Sequence, residues 1–194
     1  MRHLLILVLL AGNTTLGQDK HYGIKLDLNL SGINGKGMSP SVQPGLQVGT
    51  FFQKEISRRW SIQPEILYTH SNVKKSSNFL TYYNLNGRNN KEENIQLNYL
   101  SIPVLVHFSI SSKFSVHAGP QYGYLFHTDE NLMKYDIAAF KKYAFSGNMG
   151  VQYHIGSFAF SARYNRGISN INDIDRRYRW RATQIQVGFA IKFR

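Results

Sequence analysis

From Tyr22 onward, apolar residues recur at every second position in one segment after another, which is the period of a β-strand and not of a helix. The series run Tyr22, Ile24, Leu26, Leu28, Leu30; Leu46, Val48, Thr50, Phe52; Trp60, Ile62, Pro64, Ile66, Tyr68; and Leu100, Ile102, Val104, Val106, Phe108. They continue through Phe114, Val116, Ala118, Pro120, Tyr122, Tyr124, Phe126; Phe145, Gly147, Met149, Val151, Tyr153; Phe158, Phe160, Ala162, Tyr164; and Ile185, Val187, Phe189, Ile191, Phe193. About eight strands are therefore predicted, the smallest common number for a barrel that spans a membrane. The connections alternate in length. Glu55 to Arg59, Ser109 to Lys113 and His154 to Ser157 are short, whereas Ser31 to Pro44, Ser71 to Asn94, Thr128 to Lys142 and Ser169 to Arg179 are long and polar. Such alternation is expected when an even number of strands threads a membrane, with tight turns at the periplasmic rim and long loops outside.

Each apolar series carries an aromatic near the end that meets a short turn or a chain terminus: Tyr22, Phe52, Trp60, Phe108, Phe114, Tyr153, Phe158 and Phe193. Aromatic rings favour the headgroup boundary, so one ring per strand at one rim predicts a membrane interface. The opposite phase holds Lys25, Asp27, Gln47, Gln63, Glu65, His107, His117, Gln121, Asn148, Gln152, His154, Arg163, Asn165, Gln186 and Lys192. Amides, small residues and a few charges of both signs suit a narrow interior filled by its own side chains. The fold class expected is all-β, a closed antiparallel up-and-down transmembrane barrel with lipid on the apolar face and the polar set enclosed. Charges inside must pair, because burying one alone is costly. Lys25, Asp27, Glu65, Arg163 and Lys192 are the candidates for a lumen network that keeps the interior plugged. Pro64, Pro103 and Pro120 lie inside predicted strands, where a missing donor is awkward, and are expected to mark bulges or segments above the membrane.

The ends of the chain point to export. Met1-Arg2-His3 is positively charged, Leu4 to Ala11 is apolar, and Thr15-Leu16-Gly17 supplies small residues before Gln18. Residues 1–17 are thus expected to be a cleaved secretory signal, with residues 18–194 forming one barrel domain. The apolar run is too short for a spanning helix, which needs roughly 20 residues. At the other end, Gln186-Val187-Gly188-Phe189-Ala190-Ile191-Lys192-Phe193 resembles the C-terminal assembly signal of bacterial outer-membrane barrels, with Arg194 as one extra residue. The absence of cysteine excludes a lipoprotein anchor, a disulfide framework and a thiolate metal site.

The formal net charge is +12, and removal of residues 1–17, which contain Arg2 alone, leaves about +11. Such a balance points to an anionic partner. Export argues against nucleic acid and favours the phosphates of lipopolysaccharide or an anionic surface polymer. The densest charge run, Asp173-Ile174-Asp175-Arg176-Arg177-Tyr178-Arg179-Trp180-Arg181, lies in the last long loop. Arg176, Arg177 and Arg179 are candidates for an anion-binding rim, joined by Lys74-Lys75 and Lys141-Lys142; the alternative is a solvated loop whose aspartates pair with its own arginines.

The stretches Tyr99-Leu100-Ser101-Ile102-Pro103-Val104-Leu105-Val106 and Ala118-Gly119-Pro120-Gln121-Tyr122-Gly123-Tyr124-Leu125 resemble the central pattern of PorT-type outer-membrane β-barrel proteins of Bacteroidota. Phe145 to Val151 and Tyr164 to Ile171 continue the likeness over nearly the whole chain after residue 17. The resemblance implies an outer-membrane barrel, and its namesake is linked to secretion of surface proteins; fold alone does not transfer that role. Catalytic candidates are weak. Thr69-His70-Ser71 and His127-Thr128-Asp129 sit near outer strand ends without a recognisable catalytic spacing. His107, His117 and His154 fall toward the periplasmic end of the lumen phase, close enough in register for an approach to one another, where interior hydrogen bonding is the expected role and no carboxylate spacing supports a metal. The sequence thus implies a monomeric, non-enzymatic barrel without cofactor, contacting outer-membrane lipid, with a structural or adhesive role. An accessory part in secretion or surface assembly, a lipid-modifying barrel enzyme, and a soluble periplasmic ligand-binding barrel are the alternatives.

Overall fold

The computed structural model describes residues 20–83, 94–128, 139–174 and 177–193; residues 1–17, expected to be a signal, lie outside them. Eight antiparallel strands close on themselves in chain order: β1 (Lys20–Asn34), β2 (Gln43–Glu55), β3 (Trp60–Lys74), β4 (Asn94–Ser109), β5 (Phe114–Thr128), β6 (Tyr143–Ile155), β7 (Phe158–Gly167) and β8 (Arg181–Phe193). One short helix, α1 (Phe79–Tyr82), interrupts the second long loop. The seam is the β1–β8 pair, in which Tyr22 faces Phe193 and Asn34 faces Arg181, so neither end of the chain leaves an unpaired sheet edge.

Alternation sets the two faces. Ile24, Leu28, Leu46, Ile66, Val106, Met149, Phe160 and Val187 are exposed on the outside, while Asp27, Gln47, Glu65, His107, Asn148, Arg163 and Gln186 are buried inside. An exposed apolar belt around a buried polar interior is the inverse of a soluble barrel and places hydrocarbon on the outer surface. The aromatics at the short-turn rim face outward, and two pairs touch across strands, Tyr22 with Phe193 at 6.0 Å and Trp60 with Phe108 at 4.9 Å between ring centroids. A second aromatic group marks the other rim on β5 and β6, where Tyr122 lies 5.2 Å from Phe145 and Tyr124 5.6 Å from Tyr143.

The prolines do not mark bulges. Pro64 pairs with Val104, Pro103 with Gln121 and Pro120 with Gly147, and the register is the same on both sides of each. The register shifts instead at Asn98/Tyr99: Asn98 faces His127 and Tyr99 faces Leu125, which leaves Phe126 as the extra residue on β5. Strands β1, β3 and β4 also reach further outward than the periodic apolar series suggests. Ser31–Asn34, Ser71–Lys74 and Asn94 are strand, although they fall in the segments expected to be loop.

Candidate functional site

The interior is built in three tiers, and the middle one is polar. Arg163 on β7 reaches across the lumen to Glu65 on β3 and donates two hydrogen bonds, Nη1 to Oε2 at 3.0 Å and Nη2 to Oε1 at 2.9 Å, with both side chains essentially without solvent. A planar guanidinium against a carboxylate in this two-point geometry is the strongest ion pair side chains make. Gln63 Nε2 donates to the same carboxylate at 2.7 Å. On β1, Lys25 Nζ stands 3.5 Å from Asp27 Oδ2 and donates to Ser161 Oγ at 3.2 Å. Four of the five proposed network residues therefore fall in the same interior as two ion pairs. Lys192 does not join them: it lies opposite Gly23 near the short-turn end and makes no hydrogen bond or ion pair with the other four among the described residues.

Further toward the long loops the interior is knitted by uncharged groups. Asn29 donates to Ser71 Oγ at 3.0 Å, Gln47 to Thr69 Oγ1 at 2.7 Å, Thr69 to Ser101 at 3.1 Å, and Asn165 to Ser146 and Asn148 at 2.8 and 2.9 Å. His107 and His117 face each other across β4 and β5 with ring centroids 4.8 Å apart and planes tilted by 32°. His117 Nε2 accepts from Arg163 Nε at 3.4 Å, whereas His154 sits apart beside Ser115 at 3.4 Å. Among the described residues no group of three or more metal-binding side chains comes together.

The outer tier is apolar and was not legible from the strand series. Ile33, Val73, Ile95, Leu97, Tyr99 and Leu125 occupy inward positions at the outer ends of β1, β3, β4 and β5. Onto them fold Met38 from the first long loop, Phe79 and Tyr83 from the second, Ala139 and Phe140 from the third, and Ile171 and Trp180 from the fourth. Trp180 has no solvent exposure and packs against Phe140, Tyr83 and Phe79 at 5.4, 5.6 and 6.3 Å, while its indole N–H donates to Lys36 O at 3.0 Å. Gly37, at φ 82°, lies under this cluster, where a Cβ would stand 3.0 Å from the rings of Phe79 and Tyr83. Asn172 ties the loops together by donating to Tyr83 Oη and Tyr178 O and by accepting from Ile174 N. The described parts of all four long loops thus contribute to one apolar core over the outer strand ends. The signal for it was present as apolar residues in the polar phase at outer strand ends.

Of the basic rim residues, Arg177, Arg179, Lys141 and Lys142 are exposed, and Arg176 lies outside the described residues. Lys75 does not belong to the rim: it is buried, with Nζ 5.7 Å from the Phe79 ring centroid, as part of the cap. The catalytic candidates are dispersed by strand alternation. Thr69 and Ser71 point into the lumen, whereas His70 faces out and bonds through Nδ1 to Asn98 Oδ1 at 2.7 Å, an oxygen that also accepts from Tyr68 Oη at 3.0 Å. His127 is exposed opposite Asn98, and Asp129 lies outside the described residues.

At the short-turn end the lumen widens into a vestibule of about 750 Å³ that opens away from the cap. His21, Gln53, Glu55, Arg58, Arg59, Ser61, Ser111, His154 and Lys192 are among the residues lining it.

A family model described as "Outer membrane protein beta-barrel domain" matches residues 17–173. The chain belongs to this outer-membrane β-barrel family. No curated protein sequence matches it. Among solved structures, it is similar to Ail, the attachment invasion locus protein of Yersinia pestis, at 14% identity and a TM-score of 0.52 over 90% of this chain and 99% of that one. Ail in complex with the heparin analogue sucrose octasulfate gives 12% identity and a TM-score of 0.55 over the same shares. Neisserial surface protein A gives 13% identity and a TM-score of 0.53 over 92% of this chain and all of that one. At these identities the likeness establishes the eight-stranded fold alone, and the family match gives the place in the outer membrane.

Proposed function

We propose that this outer-membrane barrel is a closed, monomeric surface protein with a structural or adhesive role, and not a pore. The observation that carries the reading is the pair of barriers in series, the Trp180 cap above and the Arg163–Glu65 clasp below. A small barrel whose interior is filled by paired side chains leaves no continuous water path. Closure of the sheet by β1 and β8 removes the edge through which a second copy would add, which supports the monomer. The test is conductance of the purified full-length protein in planar bilayers. Silence up to about 100 mV is expected; reproducible unitary currents would overturn the reading.

The adhesive part of the proposal rests on the exposed outer basic residues Arg177, Arg179, Lys141 and Lys142, which suit phosphate or sulfate groups on a sugar such as those of lipopolysaccharide. Ail of Yersinia pestis has been solved with a heparin analogue, a ligand of the same chemistry. Replacing Arg177 and Arg179 with glutamine is expected to weaken binding to lipopolysaccharide in a salt-dependent manner, and unchanged binding would remove this part. An accessory role in secretion or surface assembly is the second reading, favoured by the PorT-like stretches at residues 99–106 and 118–125 together with a vestibule on the periplasmic side. A lipid-modifying activity has less support, because alternation sends His70 and Ser71 to opposite faces.

A further inference from the structure

The outer wall of the barrel carries two arginines that neither the cap nor the loop rim explains. Across β5 to β8 the register sets outward-facing residues in rows, with direct neighbours roughly 5 Å apart. One row is Pro120, Gly147, Arg166 and Thr183. On its long-loop side lie Tyr122, Phe145 and Ile168, whose N–H donates to Phe145 O at 2.8 Å, and then Arg181, two residues from Thr183 on the same face of β8. On its other side lies an uncharged row, Ala118, Met149, Tyr164 and Ile185. Arg166 and Arg181 are both exposed on this wall and stand diagonally across β7 and β8, within reach of one another's ligands for side chains of this length.

Neither arginine has a carboxylate partner among the described residues. Arg166 Nη1 donates to Tyr164 Oη at 3.4 Å, a neutral acceptor that leaves its charge uncompensated. A charge on the lipid-facing side of a barrel costs more with depth, and Arg166 stands directly above apolar rows. A second observation concerns shape. Beside Arg166 the wall is hollow: a Cβ on Gly147 would meet only Ile168 Cδ1, at 3.9 Å. Phe145 and Tyr122, with ring centroids 5.2 Å apart, stand over this hollow on the long-loop side, and Pro120 and Ala118 continue its shallow floor down β5. Aromatic rings mark the headgroup boundary, so an unpaired cation pair and an apolar hollow meet where a lipid's phosphate gives way to its chains.

We infer that this patch binds lipid A of outer-leaflet lipopolysaccharide, with Arg166 and Arg181 holding one phosphate and the hollow at Gly147 and Pro120 seating the first methylenes of an acyl chain. The long-loop side of such barrels faces the medium, which makes the adjoining leaflet the outer one. The inference rests on that orientation, as the adhesive reading does, but it places the lipid on the barrel wall and not on the loop residues Arg177, Arg179, Lys141 and Lys142.

The test uses full-length protein folded in zwitterionic detergent, with bound lipid counted by native mass spectrometry during titration with bisphosphorylated lipid A. Dephosphorylated lipid A and phosphatidylglycerol are the comparisons. One lipid A is expected to be retained in preference to either, and Arg166→Gln with Arg181→Gln should weaken it about tenfold or more. Gly147→Leu, which fills the hollow and leaves every charge in place, should weaken it as well. Heat-modifiable migration on gels verifies folding of each variant, and Arg166→Gln alone or Gly147→Ala replaces one that does not fold. Absence of a preferred lipid, equal retention of phosphatidylglycerol or of dephosphorylated lipid A, or indifference to the arginine or glycine replacements would overturn the proposal. The loop reading fails separately: if Arg177→Gln with Arg179→Gln leaves lipopolysaccharide binding unchanged while the Arg166 and Arg181 replacements abolish lipid A binding, the rim is removed and the wall site stands.

Discussion

Arg163 is held by two partners: Glu65 takes two of its hydrogen bonds and His117 takes a third. Removing the guanidinium alone would leave the buried Glu65 carboxylate uncompensated, which costs about 3–5 kcal/mol for a buried pair broken on one side. Arg163→Met is therefore expected to lower the urea midpoint of the barrel in detergent by that equivalent. The double variant Arg163→Met with Glu65→Leu should recover most of the loss, since an apolar pair of similar volume leaves no orphaned charge. A double variant no more stable than the single would show that the clasp is not the reason for the loss. The same scale explains Gly188. Its place in the terminal motif was legible in the sequence, but its cause was not: a Cβ there would collide with the Asp27 carboxylate and the Leu26 carbonyl across the seam. Which interior charges meet was likewise only partly legible. Lys25, Asp27, Glu65 and Arg163 share a phase and a depth, whereas Lys192 shares the phase alone and sits one inward step nearer the periplasm.

Strand count, face assignment and loop alternation were legible because each is a property of period and spacing, and both survive in one dimension. The cap was not, because it is made by loops that meet only once the barrel brings their bases together. Its partial signature lies at the strand ends, where Ile33, Val73, Ile95, Leu97 and Leu125 violate the polar phase. Reading those positions as the floor of a second core would have predicted that Phe79, Phe140 and Trp180 cover it. The chain has two tryptophans, and they sit in opposite settings, Trp60 at the periplasmic rim with 48% exposure and Trp180 with none. In a Trp60→Phe background, emission from Trp180 is expected to be blue-shifted and shielded from acrylamide. Adding Trp180→Ala to the wild type should cost about 3–5 kcal/mol for loss of a large buried ring, read as a lower unfolding midpoint with the barrel still heat-modifiable. An emission maximum typical of water for Trp180 would mean that the loops do not form the core described.

At the scale of the molecule, the two ends of the barrel differ in kind: an apolar lid over the long-loop mouth, and an open basic vestibule at the short turns. That polarity gives function a direction only if the lid faces the medium. The assignment follows from the rule that short turns lie in the periplasm, while the aromatic rings at the short-turn rim and the group on β5 and β6 at the other mark the depth of the apolar surface between them. The absence of cysteine in the sequence makes a direct check simple, since any single cysteine introduced is unique. Ser77 is exposed beside α1 on the lid side, and Ser112 is exposed in the turn between β4 and β5 on the vestibule side. In intact cells expressing the full chain, a membrane-impermeant maleimide is expected to label Ser77→Cys, and to label Ser112→Cys only after the outer membrane is permeabilised. Labelling in the reverse order would invert the barrel, placing the vestibule and its arginines outside and the capped loops in the periplasm. Equal labelling of both sites in intact cells would mean that the reagent passes the outer membrane or that the chain is not inserted. The unpermeabilised Ser112→Cys sample is thus the decisive one, because it alone separates an inserted barrel of this orientation from both other outcomes.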